Sequence, residues 1–163
     1  MAVGTRRIRH RNVTEHPTAV WTAQPFRMLI SGDEPHHFLI HDRDSLYSAE
    51  VDRTITAIEL TILKTPVRSP QANAFCERLI GTIRRECLDW VIPLSEDHLR
   101  SILREWVAHD HRGRPHASLG PGIPDGANAP VLPGHRIPGD HRLAAKSVLG
   151  GLHHEYRLER LAA

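Results

Sequence analysis

Apolar positions recur at helical spacing in four stretches of the chain, and short apolar runs lie between them. The spacing predicts helices over residues 17–30, from Ser48 to about residue 58, over residues 72–91, and from Ser95 to about residue 110. The last two carry the longest apolar stripes, which are Cys76, Leu79, Ile80, Ile83 and Cys87 in one and Leu99, Ile102, Leu103, Trp106 and Val107 in the other.

Three runs have the character of strands. Residues 38–40 are apolar and bounded by polar residues, as in a buried strand of a parallel sheet, and residues 59–63 also resemble a strand. Residues 6–14 are rich in Arg and branched side chains, which favours an exposed edge strand. Strands that alternate with helices predict an α/β fold.

Proline and glycine mark the places where these patterns break. Pro25 lies inside the first predicted helix, where it removes a hydrogen bond at a cost of about 3 kcal/mol, so we expect a kink or a break there. After about residue 110 the chain becomes rich in Gly, Pro and His, with too little apolar surface to offset its ordering entropy. We therefore expect an extended, Pro/Gly-rich C-terminal tail over residues 120–163, in which residues 151–160 remain open between a short strand and a short helix.

Composition narrows the class of protein. A length of 163 residues with 40% apolar content predicts one domain, and a net charge of +2 makes nucleic-acid binding depend on where Lys and Arg lie. Cys76 and Cys87 are about 16 Å apart along one predicted helix and cannot form a disulfide with each other. Free thiols without a signal segment favour the cytoplasm, and no run reaches the roughly 20 apolar residues of a membrane span.

Two acidic residues stand where an α/β sheet collects catalytic groups. Asp42 follows the carboxyl end of the predicted strand over residues 38–40. Glu77 lies one turn into the helix after Asn73, so packing that helix across the sheet edge brings it toward Asp42. Two neighbouring carboxylates need a cation to remain ionised together, and Mg²⁺ or Mn²⁺ is the usual one.

Two sequence blocks around these acids carry a resemblance to a known family. The run FLIHDRDSLY and the longer block SPQANAFCERLIGTIRREC resemble the integrase core of bacterial insertion-sequence transposases, a DDE integrase/transposase family. Asp42 and Glu77 are 35 positions apart, which is about the spacing of an aspartate and a glutamate in that family. The resemblance covers at least residues 5–119, and the ending GLHHEYRLERLAA is similar as well.

The resemblance implies an RNase H-like fold and metal-dependent DNA chemistry. Three acids of the family bind two Mg²⁺ ions, which activate the attacking oxygen and stabilise the leaving oxygen at a DNA phosphodiester. Asp42 would be the second acid and Glu77 the third. Asp44 competes with Asp42 for its role, but the position of Tyr47 favours Asp42. The implied partners are DNA and further copies of the chain on paired DNA ends.

The first catalytic Asp of the family precedes the strand that residues 5–14 resemble. We therefore expect residues 5–119 to form a partial integrase catalytic core without the first strands, with an exposed apolar edge on the strand before Asp42. The acids upstream of Asp42 are Glu15, Asp33 and Glu34, and none lies on a predicted strand. With two of three acids, the chain is expected to be inactive in strand transfer.

Basic residues near the two acids are candidates for DNA backbone contacts, and a solvated surface is the alternative. Taken alone, Asp42 or Asp44 is more often a turn residue and Glu77 more often part of a surface ion pair, so the long matching block carries the catalytic interpretation. Zinc binding by His109, His111 and His116 is the weaker interpretation, because no Cys pair accompanies them. A non-catalytic DNA-binding or regulatory remnant, or a product without a stable fold, are the rival interpretations. The candidate DNA-binding residues are Lys64, Arg68, Arg78, Arg84, Arg85, Arg112 and Arg114.

Overall fold

The computed structural model describes residues 1–29, 36–67, 73–120, 122–126 and 137–161. The chain divides into two compact units where its length predicts one domain. The sheet unit is Arg9–Arg84, and the hairpin unit is Met1–Ile8 together with Arg85–Ala163. No helix in the described parts of the chain is long and apolar enough to cross a membrane.

A two-stranded parallel sheet is the centre of the sheet unit. Strand β1 (Phe38–His41) pairs with β2 (Thr61–Lys64) in a register that sets Phe38 beside Thr61 and His41 beside Lys64. Helix α2 (Ala49–Thr56) connects them, as parallel strands require a crossover. The α/β pattern predicted for residues 38–63 is therefore confirmed.

Helix α2 begins where its sequence predicts. The hydroxyl oxygen of Ser48 accepts a hydrogen bond from the backbone N–H of Val51 at 3.4 Å, and Glu50 and Asp52 occupy the first turn. A polar cap and first-turn acids both stabilise a helix N-terminus. Val51 and Ile55 are 0% exposed and form the core with Ala23 and Leu60, and each fully buried aliphatic side chain contributes about 1.5–3 kcal/mol.

One face of the parallel sheet is covered and the other is open. Leu39 and Ile62 contact the core, whereas Phe38, Ile40 and Leu63 are 62%, 42% and 44% exposed on the opposite face. Parallel sheets are usually covered on both faces. Within the described residues, β1 pairs only with β2 and keeps one free edge.

The strand predicted over residues 6–14 is wrong, and so is a break at Pro25, whereas a kink there stays a prediction. Residues 6–14 form no strand, because within the described structure they have no strand partner and their side chains do not alternate between buried and exposed. Helix α1 (Ala19–Leu29) continues through Pro25 without a break. Ala23 and Phe26 pack against the core on either side of Pro25, and this burial offsets the lost hydrogen bond.

Helix α3 (Ala74–Glu86) is shorter than the predicted helix over residues 72–91. It ends before Cys87, which is buried, and a 3-10 turn follows at Leu88–Trp90. The predicted apolar stripe is only partly buried, since Ile80 is 61% exposed and Thr82 is buried in its place. Cys76 and Cys87 are both free.

The hairpin unit combines one long helix with an antiparallel hairpin. Helix α4 (Glu96–Arg112) begins at Ser95, whose hydroxyl accepts the N–H of His98 at 3.1 Å, and it buries Ile102, Trp106 and Val107 as predicted. Strands β3 (His141–Val148) and β4 (His153–Arg160) pair antiparallel. Residues 141–160 therefore form a hairpin where composition predicts an extended tail over residues 120–163. Residues 127–136, which dominate that composition, lie outside the described residues.

Candidate active site and basic surface

Asp42 lies directly after β1, at the carboxyl end of the sheet, and is half-buried. One of its carboxylate oxygens accepts the backbone N–H of Asp44 at 3.1 Å. The carboxylate of Asp44 is exposed and accepts the N–H of Leu46 at 2.8 Å, which is ordinary turn chemistry. Arg43 donates to the carbonyl of Thr65 at 3.2 Å and so ties the loop to the end of β2. Both carboxylates thus accept the N–H two residues ahead, and Asp42 differs from Asp44 by following β1 directly.

His41 supports Asp42 from the buried side, and sequence reasoning missed it. Its side chain is 3% exposed, with Nδ1 2.5 Å from the carbonyl oxygen of Asp42 and Nε2 3.1 Å from a carboxylate oxygen of Asp52. Both oxygens are acceptors, so the two bonds exist together only when both ring nitrogens carry hydrogen. The ring also stacks on Tyr47 with centroids 4.3 Å apart.

Asp52 connects His41 to a candidate DNA-binding residue. The ammonium nitrogen of Lys64 lies 2.5 Å from the other carboxylate oxygen of Asp52. Burial acts to raise the pKa of Asp52, but the hydrogen bond and charge of Lys64, together with His41, hold it below its ordinary value. Lys64 therefore already forms an ion pair with Asp52.

Glu77 is exposed in the first turn of α3, and the pKa of Tyr47 responds to charges on both sides. Burial raises the pKa of Tyr47, and the negative charges of Asp42, Cys76 and Asp44 raise it further. The phenol thus lies within electrostatic reach of Asp42 and of Cys76, the residue before Glu77. Joint metal binding by Asp42 and Glu77 stays a prediction.

Within the described residues, the donor set for a metal ion is incomplete. Among the residues that the structure describes, no three His, Cys, Asp or Glu side chains are grouped so that they could hold a metal ion. Carboxylate oxygens are suitable ligands for Mg²⁺, and the hydrogen bond from the Asp44 N–H uses one acceptor site of Asp42.

The candidate basic residues fall into two groups. Arg78, Arg84 and Arg85 are exposed on α3, and Arg112 is exposed at the end of α4. Arg114 is half-buried and makes two hydrogen bonds to Glu86 at 2.8 and 2.9 Å, which raise its pKa. Arg68 lies outside the described residues.

The three histidines considered as zinc ligands contact separate protein groups. His109 Nδ1 lies 3.2 Å from the carboxylate of Glu155, and His111 Nε2 accepts the backbone N–H of Ile8 at 2.8 Å. His116 Nε2 lies 3.3 Å from the carboxylate of Asp110. Their ring nitrogens are therefore used in three different places.

Asp110 is a buried acid that sequence reasoning missed, because a helical Asp normally faces solvent. It is 1% exposed, and within the described structure neither carboxylate oxygen accepts a hydrogen bond. Burial raises its pKa, against the opposing charges of His116 and Arg114.

Comparison with known families identifies part of this region. Residues 59–124 match the family model of the integrase core domain. The matched segment contains Glu77 and all the candidate basic residues, whereas Asp42 precedes it. The resemblance is thus confirmed over these residues. No curated protein and no solved structure is significantly similar to the chain.

Proposed function

Taking residues 59–124 as integrase core sequence, we propose that the protein functions in DNA transposition as a DNA-binding, transposase-related integrase core. The family match is the observation that carries this proposal. The order β1, Asp42, α2, β2, α3 supports it, because this order sets one acid at a strand end and the other in the first turn of the next helix. An RNase H-like arrangement is part of the proposal.

DNA binding is assigned to the exposed arginines. Arg78, Arg84 and Arg85 on α3 and Arg112 on α4 present guanidinium groups, which bind phosphate oxygens through paired hydrogen bonds. Lys64 and Arg114, which form ion pairs with Asp52 and Glu86, belong to the proposed set as well. Arg68 is included by sequence alone. As in the family, further copies of the chain are proposed to act together on DNA ends.

We further propose that this chain of 163 residues binds DNA without joining strands. In the family, Mg²⁺ or Mn²⁺ supplies Lewis-acid stabilisation of the phosphodiester oxygens when it is bound. Here Asp42 and Glu77 offer two carboxylates, and the described residues hold no group of three donors. The role of the chain is then that of a non-catalytic DNA-binding or regulatory protein.

The test is the salt dependence of duplex binding, measured by fluorescence anisotropy on several unrelated sequences. Each phosphate contact contributes about −0.9 to the slope of log affinity against log salt. The double variant R84A/R85A should make the slope shallower by roughly 1.8 and weaken all sequences alike. The control is R100A, which removes an arginine of α4 that lies outside the candidate DNA-binding set. A salt-insensitive affinity, or equal losses in both variants, would contradict the proposal.

A further inference from the structure

The segment Met1–Ile8 is bound to the rest of the hairpin unit through a histidine of α4. The backbone N–H of Ile8 donates to His111 Nε2 at 2.8 Å, in the last turn of the helix. The side chain of His111 is 12% exposed, so water has little access to this bond. A ring nitrogen accepts a hydrogen bond only when it carries no hydrogen, so His111 is neutral here, with its hydrogen on Nδ1.

Protonation of His111 is incompatible with this contact. The added hydrogen occupies Nε2, which is the atom that accepts from Ile8. Two N–H groups would then point at each other across 2.8 Å, and the half-buried N–H of Ile8 would lose its acceptor. A donor that is shielded from water and left without an acceptor is costly, so the segment has to move away from the ring.

The other contacts of the segment lie closer to solvent. The guanidinium of Arg7 is 3.2 Å from the carboxylate of Asp125, with side chains that are 39% and 31% exposed, and ion pairs of this kind are weak. Arg6 donates to the hydroxyl of Ser118 at 3.1 Å on the exposed surface. Arg6 also has a φ of 62°, in the left-handed region that is unfavourable for residues other than glycine. Neither contact replaces the bond to His111.

The charged groups around the ring set the direction of the pH dependence. Burial lowers the pKa of His111 below its ordinary value of 6.5. The carboxylate of Asp125, 3.9 Å from Nδ1, and that of Asp110 act to raise it, whereas the charges of Arg7 and His116 lower it. The bound conformation therefore favours the neutral ring. Its stabilisation is fully present above pH 6.5 and is lost as pH falls through the lower pKa of the bound state.

We propose that Met1–Ile8 is a pH-sensitive element, which stays bound to α4 while His111 is neutral and is released when Nε2 takes up a proton. The argument uses a backbone N–H, a histidine and the chemistry of its ring, and it involves neither DNA nor a metal ion. The release therefore holds or fails independently of the function proposed above.

Amide hydrogen exchange of the full chain, followed by NMR from about pH 7.5 to about pH 5, tests the proposal. With each rate divided by that of an unprotected amide at the same pH, the protection of the Ile8 amide should fall on the order of 10-fold in acid. In H111Q an amide oxygen replaces Nε2 as acceptor and takes up no proton, so the protection should no longer depend on pH.

The matched control is H98Q. His98 lies at the other end of α4 and accepts a backbone N–H in the same way, from Leu94 to Nδ1 at 3.1 Å. H98Q should keep the whole pH transition of the Ile8 amide. A wild-type protein without the transition, or a transition of equal size in H111Q and H98Q, would overturn the proposal.

The ring of His111 can also be observed in the unmodified protein, so the test does not depend on the folding of a variant. Heteronuclear NMR of the imidazole should show hydrogen on Nδ1 and none on Nε2 at neutral pH. Nε2 should take up its proton over the same pH range in which the Ile8 amide loses protection. Hydrogen on Nε2 at neutral pH, or proton uptake that the Ile8 amide does not follow, would refute the proposal.

Discussion

Asp52→Asn should destabilise the sheet unit, because Asp52 accepts from Lys64 at 2.5 Å and from His41 at 3.1 Å. Hydrogen bonds to charged groups contribute about 1.5–3 kcal/mol each. The Lys64 side chain is 42% exposed, so solvent screens its share. Asn also turns an N–H toward one of the two donors. We expect a net loss of about 2 kcal/mol, nearer to one charged hydrogen bond than to two.

Native-state hydrogen exchange measures this loss of stability separately in the sheet unit and in the hairpin unit. Amides of α2 and β2 should exchange about 30-fold faster in D52N, while those of α4 stay unchanged. The matched control is Asp97→Asn in α4, which weakens an ion pair to Arg100 whose acid is 91% exposed, and its effect should stay within about 0.5 kcal/mol. Equal effects of the two substitutions would refute the reasoning.

The pH dependence gives a second check on Asp52. Its pKa lies below the ordinary value of 3.8, so its stabilisation is fully present above that value and is lost as pH falls through the lower folded value. The difference between wild type and D52N should therefore be complete at neutral pH and should shrink in acid below about pH 4. A difference that grows in acid would contradict this assignment.

Three further predictions concern catalysis and stability. The chain should not join DNA strands with Mn²⁺, and clear joining that is lost in D42N would show that another group completes the site. Trp106→Ala should cost about 3–5 kcal/mol in urea unfolding because Trp106 is 0% exposed, whereas Leu94→Ala, at a residue 82% exposed, should stay within about 0.5 kcal/mol. Burial raises the pKa of Asp110, so its charged form opposes folding above pH 3.8. D110N should therefore be as stable as wild type or more stable at pH 7, with the advantage lost in acid, and a less stable D110N at pH 7 would contradict this.

Signals within a few neighbouring residues were sufficient to predict helices α2 and α4. Ser48 and Ser95 mark the starts of α2 and α4, because a cap and the following apolar spacing lie within a few residues of each other. The hairpin was not predicted, since its pairs join residues up to 19 positions apart, as His141 and Arg160 are. Its strands also follow a segment whose composition indicates an extended chain.

The candidate site divides in the same way. Asp42 and Glu77 were selected from a strand end, a helix start and their spacing, and all three features can be read from the sequence. His41 and Asp52 were missed because their bonds depend on α2 packing against the sheet. The engagement of Lys64 and Arg114 by acids likewise follows from tertiary contacts. A basic residue in sequence is therefore only a candidate until its acidic neighbours are known.

The open face of the parallel sheet has a consequence for the behaviour of the protein at high concentration. Phe38, Ile40 and Leu63 place apolar surface beside the edge of β1 that pairs with no other described strand. An apolar face next to an unpaired strand favours aggregation between like chains. Precipitation should therefore increase with protein concentration and with salting-out ions, whereas contacts to DNA phosphates weaken as salt rises. Ile40→Lys should raise the solubility of the protein and leave its affinity for duplex DNA unchanged.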